Sequence, residues 1–127
     1  MSLIPWILLG LICLEHLLFV PNLIKKSGGT SWQAVKTSAT FTAVAGEGYF
    51  INTTSNAIEM DLPAGTIGDE IVFIDYAGTF DTYTFTIAAN GSEKINGSTA
   101  DLTVSVERAA NTLVYTDGTQ GWLLKNK

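Results

Sequence analysis

The chain has 127 residues, 46% of them hydrophobic and 15% charged, with a net charge of −5. That is room for one domain of ordinary size plus an appendage, and it is too apolar for disorder throughout. One cysteine, Cys13, excludes an intrachain disulfide.

The first element is a run from Leu3 to Ile24 in which nearly every residue is apolar and only Glu15 and His16 are polar and ionisable. It predicts one hydrophobic α-helix within residues 1–24. Pro5 suits a first helical turn and Pro21 stops the helix, so Ile4 to Val20 would extend about 26 Å. A secretory signal is disfavoured, because no Lys or Arg precedes the apolar stretch. A membrane span is the alternative. Its length is borderline, Glu15 and His16 would be costly in lipid, and Lys25 and Lys26 would hold the following end on the cytoplasmic side. The favoured use is burial in protein. Ile4, Ile7, Leu11, Leu14 and Leu18 recur at the spacing of a coiled-coil seam, and isoleucine at both seam positions favours more than two strands. The expectation is a homotrimer. Trp6, Leu8, Leu9, Ile12, Cys13 and Phe19 point away from that seam, so a surrounding socket of other proteins must cover them.

Residues 25–31 read as a flexible linker, polar and with two glycines. Residues 32–127 read as the β domain. From Ser27 onward there are eleven acids against five bases, a net −6. Such a segment cannot neutralise many phosphates, which argues against nucleic acid.

Short β-branched and aromatic runs follow, separated by turn signals. The candidate strands are residues 32–36, 40–43, 48–53, 57–61, 70–76, 83–88, 102–106, 111–116 and 121–125. Tyr83-Thr84-Phe85-Thr86-Ile87 and Leu102-Thr103-Val104-Ser105-Val106 alternate in the manner of half-buried strands. Ile71-Val72-Phe73-Ile74 is continuously apolar, which predicts a central strand buried on both sides. Asn90-Gly91, Asn96-Gly97 and Asp117-Gly118 supply tight turns. The fold class expected is mainly β, an antiparallel sandwich or barrel of about eight or nine short strands after one hydrophobic N-terminal helix.

No catalytic set stands out, and the reading is that of a non-enzyme. His16 is the lone histidine and lies in the apolar run, so a His-based acid/base pair or triad in the β domain is excluded. No Cys/His metal constellation exists and no cofactor is implied. Asp61, Asp69, Glu70, Asp75, Asp81, Asp101 and Asp117 invite a calcium reading, but none falls at a calcium-loop spacing. They read as solvated turn residues. Asn52-Thr53-Thr54 and the doubled Asn-Gly-Ser at 90–92 and 96–98 match the glycosylation sequon, although the glycines explain Asn90 and Asn96 as turn formers. Trp32 and Trp122 bracket the β domain. Either could stack on a sugar of a host-surface glycan, but packing is the more ordinary role for tryptophan in a small domain.

A family likeness rests on Thr42 to Thr54, on Leu62-Pro63-Ala64-Gly65 with Gly68-Asp69-Glu70-Ile71, and on Asp75-Tyr76-Ala77-Gly78-Thr79-Phe80. Asn90-Gly91-Ser92, Ile95-Asn96-Gly97, Leu113-Val114-Tyr115 and Gly121-Trp122 extend it. These residues resemble small β modules of tailed-bacteriophage virion proteins, found in fibres and tail appendages that typically assemble as trimers. The resemblance implies a virion location and other virion proteins as partners, and it carries over no catalytic or binding residue. Full-length fibres begin with a polar attachment domain and a long shaft. Lacking both, this chain points to a short fibre, a cement protein or a tail-appendage component, held by its N-terminal helix with the β domain exposed. The rival readings are a membrane-anchored β-domain protein, a receptor- or glycan-binding tip and a cell-wall-degrading enzyme.

Overall fold

The computed structural model describes residues 29–126. Nine strands occur among them: β1 (Ser31–Trp32), β2 (Thr40–Thr42), β3 (Glu47–Ile51), β4 (Ile58–Asp61), β5 (Glu70–Asp75), β6 (Phe85–Ala88), β7 (Leu102–Val104), β8 (Ala110–Tyr115) and β9 (Trp122–Leu124). One sheet has the order β1-β3-β5-β8-β9 and the other β2-β4-β6-β7. Each of the nine candidate strands overlaps one of these elements, although β1, β3 and β8 each begin one residue earlier than expected.

Their pairing differs from the expectation. The antiparallel arrangement is corrected to two mixed sheets. The pairs β2–β4, β4–β6 and β3–β5 are parallel, whereas β6–β7, β5–β8 and β8–β9 are antiparallel. The chain alternates between sheets through its first six strands, so each strand pairs with the next but one. Turn residues mark where a chain reverses but not which sheet it enters, and a reversal into the opposite sheet yields parallel neighbours. Asp117-Gly118 does close a hairpin, between β8 and β9. Asn96-Gly97 closes only a minimal ladder in which Ile95 and Ser98 exchange hydrogen bonds of 2.8 and 3.0 Å.

The helical part of the expected fold class is corrected as well. No helix occurs among the described residues, so the structure gives an all-β fold. The helix expected within residues 1–24 lies outside the described residues and gains no support.

Alternation along each strand explains the core. Tyr49, Ile51, Ile71, Phe73, Leu113, Tyr115 and Trp122 of the first sheet are buried with Ile58, Met60, Phe85 and Ile87 of the second. Phe73 meets Phe85 across the two sheets with ring centroids 5.1 Å apart, and Phe80 stacks on Phe85 at the same distance. At roughly 1.5–3 kcal/mol for each fully buried large side chain, this one cluster is the main source of stability. The apolar run at Ile71–Ile74 is central, as its composition implied, but β5 still alternates: Ile71 and Phe73 are buried, whereas Val72 and Ile74 are half-buried on the other face.

Candidate interaction surface

The two sheets present opposite chemistry on the faces turned away from the shared core. On the four-stranded sheet, Thr40, Glu59, Thr86 and Thr103 stand in one cross-strand row, with Thr42, Asp61 and Ala88 in the next. This face is polar. Glu59 holds its proton above the usual carboxylate range, chiefly through a hydrogen bond with Asp61, then through burial and the charges of Asp61 and Asp101.

The five-stranded sheet is different. Phe50, Ile74 and Ala110 align across β3, β5 and β8, and Trp32 stacks on Phe50 at 4.8 Å. Val72 pairs with Thr112 in the next row, and Val114 with Leu123 beyond it. None of Phe50, Val72, Ile74, Val114 or Leu123 belongs to the buried core. At the border of the face, Lys125 lies 3.7 Å from Glu70, both more than 45% exposed, so this ion pair adds little. Half-buried apolar side chains in adjacent rows on one sheet face form the kind of surface that associates with protein.

An apolar concavity of about 250 Å3 runs beside β7, and its lining includes Phe73, Leu102, Val104, Ala109 and Leu124. β7 is an edge strand of its sheet. Among the described residues no cluster of His, Cys, Asp or Glu could hold a metal ion, and no helix is long and apolar enough to cross a membrane.

The residues singled out in the sequence separate into three groups. Ile4, Ile7, Leu11, Leu14 and Leu18 lie outside the described residues. Trp122 is fully buried, packed edge-on against Tyr115 at 5.3 Å, so packing is its role and sugar stacking is not. Its Nε1 is buried with no hydrogen-bond partner among the described residues. Trp32 is 45% exposed and belongs to the apolar face. The sequence reading missed Phe50, Val114 and Leu123 as members of that face. The available signal was the unbroken apolar run at Ile71–Ile74, since a strand apolar on both sides needs a partner on both sides.

The residues that carry the family likeness serve the scaffold. Asp75 is buried at the end of β5. Its Oδ1 accepts from the N–H groups of Gly78 and Thr79, and its Oδ2 from those of Phe80 and Arg108. Gly65 leaves no room for a Cβ against the Tyr115 ring, and its N–H donates to the Glu93 carboxylate. The Tyr49 hydroxyl donates to Glu47 at 2.6 Å and accepts from the Val44 N–H at 2.7 Å.

A bacteriophage T4 gp9/10-like protein, N-terminal family model matches residues 20–120. The chain belongs to this family. The likeness to small β modules of tailed-phage virion appendage proteins is thereby established, and the chain is a virion-associated phage protein. Within the curated proteins, the baseplate wedge protein gp10 of Enterobacteria phage T4 is 30% identical over 102 residues, covering 76% of this chain. The chain spans 17% of that protein's length. The family match falls largely on the β domain.

Proposed function

We propose that this chain is a non-enzymatic structural module of the phage tail, a baseplate component that docks on neighbouring virion proteins through the outer face of its five-stranded sheet. The observation that carries this reading is the asymmetry between the two outer faces, apolar around Phe50, Val72, Ile74, Val114 and Leu123 but rich in Thr, Glu and Asp on the other sheet. The T4 relative, a baseplate wedge protein, supports the same setting. The apolar segment before Lys25 serves as a second attachment to the particle, and three copies assemble together.

The test is a pair of threonine substitutions at Val72 and Ile74. Threonine keeps the β-branched shape that strands favour while replacing a methyl of Val72 and the ethyl branch of Ile74 with a hydroxyl. The double variant folds but is lost from purified particles, whereas Thr42→Val with Thr86→Val on the other sheet is incorporated normally. Normal incorporation of the Val72/Ile74 variant would sink the docking assignment.

A glycan-binding tip is the second reading, favoured by the exposed indole of Trp32 stacked on Phe50. It requires glycan retention by the wild-type chain that Trp32→Ala abolishes while particle assembly is unchanged.

A further inference from the structure

The sequence contains two identical triplets, Asn90-Gly91-Ser92 and Asn96-Gly97-Ser98. Asn-Gly is the pair most open to succinimide chemistry, because a glycine leaves its own backbone nitrogen unshielded. Identical triplets share their local chemistry, so any difference between them in the folded protein comes from structure alone.

The two are held in opposite ways. The Gly97 N–H donates to the Gln120 carbonyl at 2.8 Å, and the Asn96 N–H donates to the Trp122 carbonyl at 2.8 Å. Ile95 and Ser98 close the same turn from both sides. The nitrogen that would attack is engaged, and moving it means opening that turn and its contact with β9. At the first triplet, the Asn90 carbonyl accepts from the Glu93 N–H at 2.9 Å, but neither the Asn90 side chain nor the Gly91 N–H is hydrogen-bonded among the described residues. Both residues are exposed, and nothing lies within 4 Å of the place a Gly91 Cβ would occupy. Asp117-Gly118 is the remaining pair of this kind. Its carboxylate is occupied, accepting from the Thr119 and Gln120 N–H groups at 3.0 and 2.9 Å.

We infer that Asn90 is a site of spontaneous covalent modification, converting through a succinimide to aspartate and isoaspartate, while the identical triplet at Asn96 is protected by the fold. The Gly91 nitrogen attacks Cγ of Asn90 and forms an N–C bond. The C–N bond of the side-chain amide breaks, and the amide leaves as ammonia with the proton from Gly91. Water then adds to either ring carbonyl and opens the succinimide, giving aspartate or isoaspartate. No electrons are exchanged and water is the only co-reactant. The product adds one negative charge at the turn. Isoaspartate also adds a backbone atom between residues 90 and 93, next to the Glu93 carboxylate that binds Gly65.

The experiment is a time course of the purified full-length chain at mildly alkaline pH, read by peptide mass mapping and by enzymatic isoaspartate methylation. Asn90 gains the mass of an amide-to-acid exchange about tenfold faster than Asn96, the ratio that roughly 1.4 kcal/mol of additional barrier produces. In denaturant the two rates converge. Equal rates in the folded chain overturn the inference, and so does an Asn90 that stays intact while the denatured chain converts. Asn90→Gln, which lengthens the side chain and disfavours the five-membered ring, removes the isoaspartate signal at that position. Persistence of that signal in the variant also overturns the assignment.

Discussion

Asp75 collects four backbone N–H donors on two carboxylate oxygens and so ties the 76–80 turn to the turn entering β8. Asparagine would keep one acceptor oxygen and turn an NH2 group toward the other two donors. Asp75→Asn therefore leaves two N–H groups at this buried carboxylate facing an NH2 group and destabilises the domain by about 2 kcal/mol, since each unsatisfied group costs roughly 1–3 kcal/mol when buried and these are partly so; urea unfolding reads this directly. None of it was legible in the sequence. Asp75 stands among seven acids of similar local context, and only the folded chain brings Arg108 to it. Tyr49 gives a pH dependence. Burial, and then its hydrogen bond to Glu47, push the phenol well above its ordinary range, with the Val44 N–H opposing. The folded state thus holds this proton more tightly than the unfolded chain, whose tyrosines titrate near about 10. Stability is intact below about pH 10 and falls as the pH rises beyond it. Tyr49→Phe has a shallower loss of stability above about pH 10 than the wild type, measured by denaturant midpoints across the alkaline range.

At the scale of elements, the nine strands were readable because each is a short alternating or apolar run between turn residues. The pattern Leu102-Thr103-Val104 shows it well, with Leu102 and Val104 half-buried against the core and Thr103 exposed. Sheet membership was not readable. Residues of β3 and β4 carry the same alternation whether the chain between them folds back into one sheet or crosses to the other, so local pattern cannot distinguish parallel from antiparallel pairing. Buried parallel strands tend to read as continuous apolar runs, but β4 (Ile58–Asp61) is parallel to two neighbours and still alternates, because its outer face is polar. The candidate surface was half legible for a related reason. Ile71–Ile74 announced an apolar outer face, but Phe50, Val114 and Leu123 join it only through cross-strand register.

For the whole molecule, Trp32–Lys127 forms one compact unit with a core drawn from both sheets. A chain of this length can bury enough surface to be stable by itself. The 30–127 fragment unfolds in a single cooperative thermal transition; a broad, non-cooperative melt would show that it lacks an independent core. If the proposed trimer contributes to stability, the midpoint rises with protein concentration. The alternation of the first six strands between sheets has a consequence for how the chain acquires its structure. β3 cannot zip onto β5 until β4 has been laid into the opposite sheet between them, and β4 waits for β6 in the same way. The early strands of the domain therefore have no immediate neighbour in sequence to pair with, and the one tight hairpin among the described residues, β8–β9, follows all of them. Non-local pairing of this kind is slow, because loop entropy is lost before contacts repay it. During synthesis β1 waits for β3 and β2 for β4, and the second edges of β3 and β4 stay open until β5 and β6 arrive, so the nascent chain carries unpaired strand edges, and crowding many copies together at that stage favours misassembly.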